Sequence, residues 1–329
     1  MRSRPLFPFA RGVSAAALLI WLNAWSGAAA QETELRAVSA FAEGTRFSRN
    51  FERFVEKVNA EGKGLVRIRY IGGGDKVMNP FEVGNAVRGG VVDMVSCTGA
   101  YYTNLMPEAD ALKLMQRPIQ ELRRNGGWEY VNKLHNEKLN AYFLAKQGDG
   151  IPFHLYLTRR IDHPDLSGFK IRTTPVYQAF FAALGAAPVR TPPGEVYTAL
   201  ERGVVEGYGW AIQGVLDLGW QEVTKFRVDP GFYTVDVNVL VNLDKWNALR
   251  EEQRAHLRKL GAWLEGLNAE NARINREEAA RQAAAGIQTL TFTPEETARY
   301  LNTADEAGWA QVLKISPERG ARLRALFAK

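Results

Sequence analysis

The order of apolar and polar residues predicts a chain in which short strands alternate with helices. Val66, Ile68 and Tyr70 alternate with two arginines, which is typical of a half-buried strand. Ahead of them, the apolar residues of FSRNFERFVEKVNAEG fall on one helical face and predict a helix that packs inward. Further short strands are predicted at 35–41, 91–97, 153–158, 169–173, 188–191, 204–207 and 287–292. We therefore expect an α/β fold.

Two predicted elements are too long for one small domain. The run 226–244 exceeds the usual strand of about 5 to 6 residues and is long enough to cross between two lobes. The segment 246–285 has apolar residues at helical spacing, and about 40 residues would form a helix roughly 60 Å long. We expect lobe I at 31–149 plus about 238–277, lobe II at 150–237 plus about 278–329, a ligand cleft between them, and a long helix spanning both.

Residues 1–30 have the features of a secretory signal peptide. A basic start precedes an apolar centre from Ala15 to Trp21, and the segment ends in the small residues Ala28-Ala29-Ala30. The centre is shorter than the roughly 20 residues that span a bilayer. We therefore expect cleavage near Gln31 and a periplasmic protein; an uncleaved anchor is the alternative.

Charge and cysteine content narrow the function only a little. The formal net charge is +6, and removal of residues 1–30 would leave 39 Lys and Arg against 36 Asp and Glu, a net charge of +3. No basic tract suggests a nucleic-acid partner. Cys97 is the only cysteine, so no intrachain disulfide is possible, and it lies in a predicted apolar strand.

The segment 165–210 carries the main candidate for ligand binding. Phe169, Ile171 and Thr173 alternate with basic residues and predict a strand that ends near Arg172, while Pro175 suits the first position of a following helix. An arginine at this point can hold a carboxylate through two parallel hydrogen bonds. The alternative is a solvated charge at the end of a strand.

Three blocks in this segment resemble a known family. They are DLSGFKIR at 165–172, LGAAPV at 184–189, and the stretch from Glu195-Val196-Tyr197 to Gly207. In this order and spacing they resemble the substrate-binding proteins of tripartite ATP-independent periplasmic (TRAP) transporters, the DctP-like family, and the resemblance continues in weaker form from about Leu35 to the C-terminus. It implies a two-lobed fold with a spanning helix, a small organic acid as solute, membrane subunits as partners, and Arg172 as the residue that pairs with the solute carboxylate.

Aromatic residues are the remaining candidates for the walls of the site. Tyr101 and Tyr102 follow a buried strand, and ligands of open parallel sheets bind beyond the carboxyl ends of strands. Whether each of the two faces the cleft or packs into the core stays open. The full set of expected ligand-binding residues is Arg172, Trp210, Tyr101, Tyr102, Phe41, Tyr208, Phe232, Tyr233 and His154.

Two departures from the family pattern bear on the ligand. Relatives that bind acidic sugars or dicarboxylates often have asparagine where Trp210 stands, and many carry a second ligand-facing arginine near the strand 153–158, where none precedes Arg159. We therefore expect a monocarboxylate with an apolar or aromatic body, of the 2-oxo or 2-hydroxy acid class. A C4-dicarboxylate or sugar acid is the alternative if Tyr208, and not Trp210, faces the cleft.

An enzyme is the competing class of function. The four histidines lie near no motif for a nucleophile, a metal or a general base, and no G-x-S-x-G or H-E-x-x-H pattern occurs. Arg172 cannot move a proton at neutral pH. Gly72-Gly73-Gly74 lacks the spacing and lysine of a phosphate-binding loop. We expect a monomeric binding protein with no catalytic residue, cofactor or metal; binding assisted by a cation is a further alternative.

Overall fold

A computed structural model describes residues 32–329 of the chain, and the predicted signal peptide lies outside the described residues. The strands are β1 Thr33–Ser39, β2 Val66–Gly73, β3 Met94–Cys97, β4 Ala141–Gln147, β5 Pro152–Leu157, β6 Lys170–Thr173, β7 Ala187–Arg190, β8 Gly207–Ala211, β9 Phe226–Asp229, β10 Phe232–Thr234, β11 Val237–Asn242 and β12 Gln288–Thr291. The α-helices are α1 Arg46–Glu61, α2 Val83–Arg88, α3 Ile119–Asn125, α4 Gly127–Leu139, α5 Pro175–Ala183, α6 Val196–Glu201, α7 Leu243–Ala248, α8 Glu251–Gly266, α9 Asn271–Ala284, α10 Pro294–Ile315 and α11 Pro317–Phe327.

The first sheet has the strand order β2-β1-β3-β11-β4. β1 runs parallel to β2 and β3, whereas β11 runs antiparallel to both β3 and β4. The helices α1 and α8 cover one face, where Phe51, Phe54, Leu257 and Leu264 are buried with the apolar side chains of the strands. The inward-packing helix predicted from FSRNFERFVEKVNAEG is present as α1, so this prediction is confirmed.

The second sheet has the strand order β12-β9-β5-β8-β6-β7, and β10 pairs with β5. Its centre is the pair β5 and β8, and β6 lies parallel to β8 with Arg172 opposite Tyr208. The helix α5 starts directly after β6 with Pro175 in its first turn, as the sequence predicts. The two sheets confirm the expected α/β fold class.

The strand-rich run 226–244 forms three strands and passes from the second sheet to the first. The run divides into β9, β10 and β11, and β11 belongs to the first sheet whereas β9 and β10 belong to the second. Pro230 and Gly231 separate β9 from β10, because proline has no N–H to donate to a ladder. The strand predicted at 204–207 lies instead at Gly207–Ala211, so Trp210 is within the buried strand β8.

The long helix at 246–285 is present but interrupted. Arg250 has extended backbone and its N–H donates to Gln253 Oε1 at 2.9 Å, so α8 begins directly after it and not at Trp246. A 3₁₀ segment at Leu267–Glu270 separates α8 from α9. The side chain of Asn268 in this segment accepts from the N–H of Gly148 at 2.9 Å. Together α8 and α9 contact both sheets, since α8 packs on β4 and Gln282 donates to Ile212 O at 2.6 Å, just beyond β8.

Candidate functional site

Arg172 is a buried cation near the end of β6. Its side chain has no exposed surface, and its Nε and Nη2 donate to the carbonyl of Thr191 at 3.1 and 2.8 Å. Its Nη1 has no hydrogen-bond partner among residues 32–329. Burial lowers the pKa of Arg172, but an arginine keeps its proton at neutral pH. The side chain is therefore held by the fold with one donor nitrogen left to pair with an anion.

A second unpartnered group lies next to it in the chain. Thr174 is buried, and its Oγ1 has no hydrogen-bond partner in the described part of the molecule. It occupies the N-cap of α5, where Pro175 has no N–H and the N–H groups of Tyr177 and Gln178 bond to Thr174 O. A hydroxyl beside a cation can donate to the same carboxylate that the cation binds.

A cavity lies beside these groups. The residues that line it come from elements of both sheets: Phe41, Phe47, Thr98, Tyr101, Phe153, Thr174, Val176, Tyr177, Trp210, Val235, Asp236 and Val237. Arg172 is not among the lining residues, but its guanidinium carbon lies 5.9 Å from the centre of the Trp210 ring.

Aromatic rings form most of the cavity wall. Phe47 meets Trp210 edge to face with ring centres 6.0 Å apart, and Phe41 packs on Phe47 at 5.5 Å. On the other side, Phe153 meets Tyr177 at 5.2 Å. These contacts hold the rings against one another in this conformation. The cavity therefore offers apolar surface except at Thr98, Thr174, Asp236 and the tyrosine hydroxyls.

Of the predicted site residues, Phe41, Tyr101 and Trp210 line the cavity. Tyr102 and Tyr208 lie elsewhere, fully buried in the core. Tyr102 Oη lies 3.0 Å from His135 Nε2, and Tyr208 Oη lies 2.9 Å from Thr224 Oγ1. Tyr208 and Trp210 are two residues apart in β8 and both pack on Trp220, but only Trp210 reaches the cavity lining. Contact of Tyr101 and Trp210 with a ligand stays a prediction.

The last three predicted residues also lie away from the cavity lining. Phe232 packs among other rings, including Phe180 at 4.8 Å. Tyr233 donates from its hydroxyl to Ala304 O at 2.6 Å. His154 is buried with its Nδ1 2.9 Å from Val228 O and 3.0 Å from a carboxylate oxygen of Asp229, and its Nε2 has no partner in the described residues. Any role of these side chains at the ligand would have to be indirect.

Several lining residues are not among the predicted site residues. Phe47 carries the spacing of a core-facing helix residue, and Tyr177 lies in the apolar stretch of α5, so neither stands out from packing residues. The most unexpected one is Asp236, a carboxylate with 2% of its surface exposed. Its position in a run of valines was a usable signal, because an acid within an apolar segment is rarely buried without a partner.

Polar contacts join segments of the first sheet to segments of the second around the cavity. Asp217 accepts from the backbone N–H of Arg46 at 2.7 Å and from the Arg49 guanidinium at 3.0 Å. Asp75, which follows β2, accepts from the backbone N–H of Gly194 at 3.0 Å. In this conformation the two sides of the cavity are therefore held together.

Comparison with known proteins identifies the family to which this chain belongs. The DctP family model, described as bacterial extracellular solute-binding protein, family 7, matches residues 38–312. The chain belongs to this family. Family 7 is extracytoplasmic, and the resemblance to TRAP solute-binding proteins is confirmed. Proteins of this kind bind small organic acids and work with TRAP membrane subunits.

Relatives of this family 7 protein include a curated one and several of known structure. This chain is 26% identical over 258 residues to the monocarboxylate 2-oxoacid-binding periplasmic protein of Nostoc sp., and the match covers 74% of this chain and 70% of that relative. The structure of DctP7, a Bordetella pertussis extracytoplasmic solute receptor binding pyroglutamic acid, matches with a TM-score of 0.79 at 18% identity over 90% of this chain and 100% of that one. A TRAP periplasmic solute-binding protein from Desulfovibrio salexigens with bound orotic acid matches with a TM-score of 0.79 at 20% identity, over 89% and 97% of the two chains. Within residues 32–329, no helix is long and apolar enough to cross a membrane.

Proposed function

We propose that this protein captures a small monocarboxylate with an apolar or aromatic body, of the 2-oxo or 2-hydroxy acid class, and delivers it to the membrane subunits of a TRAP transporter. The observation that carries the proposal is the state of Arg172. It is a fully buried cation whose Nη1 lacks a partner among the described residues. A buried charge is normally paired, so the missing partner is best supplied by a ligand carboxylate.

The composition of the cavity wall supports a ligand with one charged end. The carboxylate would lie at Arg172 and Thr174, and its body would lie against Phe47, Tyr101 and Trp210. Apolar surface removed from water contributes about 25 cal/mol per Å², whereas an unpaired hydroxyl against these rings would oppose binding. The curated relative from Nostoc sp. is described as binding monocarboxylate 2-oxoacids, which is consistent with this class.

The contacts around the cavity support a capture mechanism that involves closure. With the two sides apart, an acid could reach Arg172 from solvent. Formation of the Asp217 and Asp75 contacts would then enclose it, and the loss of water would strengthen its ion pair with Arg172. We infer that the closed form of the exported monomer is the one the membrane subunits recognise, and that the acid is released unchanged.

A titration panel tests this proposal. The protein without its first 30 residues would be titrated calorimetrically with 2-oxo and 2-hydroxy monocarboxylates that have isopropyl or phenyl bodies, pyroglutamate, succinate, malate and galacturonate. We expect binding of at least one monocarboxylate, with weaker or no binding of the last three. A response confined to succinate, malate and galacturonate would overturn the ligand class, and chemical conversion of a bound acid would show an enzyme instead. Repeating the titrations with a chelator present tests whether a cation assists.

A further inference from the structure

Asp236 is a buried carboxylate at the wall of the cavity, between β10 and β11. Its Oδ1 accepts from Thr98 Oγ1 at 3.2 Å, and its Oδ2 accepts from Gly99 N at 2.7 Å and Asn238 Nδ2 at 2.8 Å. An ionised carboxylate has about four acceptor sites, so three donors leave room for one more. Burial raises its pKa to about 6, partly opposed by the hydrogen bond from Gly99 and the charge of Lys146. At neutral pH the group is therefore mostly ionised.

Asp236 thus places an anion in the cavity wall, and the cation of Arg172 lies outside the lining, 5.9 Å from the centre of the Trp210 ring. Burial raises the pKa values of both Tyr101 and Tyr177, and for each of them the charge of Arg172 lowers the pKa while the charge of Asp236 raises it. Both hydroxyls therefore lie within the electrostatic reach of the two opposite charges. Asp236 makes its hydrogen bonds with the neutral donors Thr98, Gly99 and Asn238. A ligand between them would meet both charges.

We propose that Asp236 determines ligand specificity by accepting a hydrogen bond from an N–H or O–H group of the bound monocarboxylate and by excluding a second carboxylate. This rests on the proposed function, since it assumes that the first carboxylate lies at Arg172. A 2-hydroxy acid or a lactam acid presents the required donor. A 2-oxo acid or a lactone acid presents only an acceptor, which a carboxylate repels. A dicarboxylate places a second negative charge in a site that already holds one.

Two matched pairs of acids test the idea on the unmodified mature protein. The first pair is 2-hydroxy-3-methylbutanoate and 2-oxo-3-methylbutanoate; the second is pyroglutamate and its γ-lactone analogue, 5-oxotetrahydrofuran-2-carboxylate. Each pair shares the carboxylate and the size of the body and differs in the donor. We expect the donor-bearing member of whichever pair fits the cavity to bind at least tenfold more tightly, because a hydrogen bond to a charged group is stronger than one between neutral groups.

The variant Asp236→Asn then assigns the preference to this side chain. We expect it to weaken binding of the donor-bearing acid at least tenfold while leaving the donor-lacking acid unchanged or improved, since the amide N–H₂ can donate to an oxo group. Thr98→Val is the control, because it removes a neighbouring polar group without removing the charge, and it should keep the order of preference. Equal affinity within the pairs, or equal weakening of both members by Asp236→Asn, would overturn the inference while leaving the proposed function intact. Failure of all four acids to bind, with binding of other classes, would overturn both.

Discussion

Replacing Arg172 with methionine separates a residue that serves the ligand from one that serves the fold. The change keeps a long side chain that can pack against Trp210 but removes the charge and all donor groups. In the proposed complex, one partner of a buried, charged hydrogen-bonded pair would be lost. Such losses cost about 2 to 5 kcal/mol, so the affinity for the carboxylate should fall by a factor of about 30 to about 5,000.

The same change should affect folding in the opposite way. Without ligand, Arg172 is a buried charge whose only hydrogen-bond partner among residues 32–329 is the Thr191 carbonyl, which accepts from Nε and Nη2. Replacing buried ionic groups with apolar side chains of similar volume is often neutral or stabilising. The bonds lost at Thr191 offset part of that gain. We therefore expect the free energy of unfolding of the ligand-free variant to be unchanged within about 1 kcal/mol, or raised.

Calorimetry for affinity and urea denaturation for stability measure the two effects on the same samples. The control is Arg160→Met, since Arg160 is an exposed arginine that pairs with the equally exposed Asp162; neither quantity should change. Unchanged affinity in Arg172→Met would refute the reasoning. The reasoning would also be refuted if Arg172→Met lost several kcal/mol of unfolding free energy together with its binding. Arg172 would then be needed for the fold itself.

Three further predictions concern closure, acid stability and export. Asp217→Asn removes the charge that holds Arg49 across the cavity, so ligand dissociation measured by stopped flow should accelerate several-fold; an unchanged rate would contradict the closure contact. Burial lowers the pKa of His135 to about 4, so the unfolded state binds more protons than the folded state between about pH 6.5 and 4. The free energy of unfolding should therefore fall by up to about 3 kcal/mol as the pH is lowered through that window. Urea titrations at a series of pH values should show that His135→Gln lacks this contribution. Mass analysis of exported protein should find an N-terminus near Gln31, and an intact Met1 in the membrane fraction would contradict it.

Local pattern was sufficient to predict the features that depend on neighbouring residues. The alternation around Arg172 and the proline after it determine a strand followed by a helix, and both are present. Tyr101 was a candidate because it follows a buried strand, and it lies at the cavity. These positions depend on residues within a few places of each other. Sequence periodicity reports such relations directly.

The remaining site residues depend on contacts between distant segments. Phe47 has the same apolar spacing as the core residues Phe51 and Phe54, and only the approach of β8 with Trp210 makes it part of the cavity. Asp236 lies in the strand-rich run 226–244, and its burial at the wall follows from the division of that run between two sheets. A run of alternating residues does not reveal which of its two ends enters which sheet.

A crystal structure with the most tightly bound monocarboxylate tests the central claim most directly. The account predicts that one ligand carboxylate oxygen lies about 2.7 to 3.2 Å from Arg172 Nη1, with the body of the acid against Trp210 and Tyr101. A carboxylate bound elsewhere in the protein, with Arg172 Nη1 still without a partner, would contradict it.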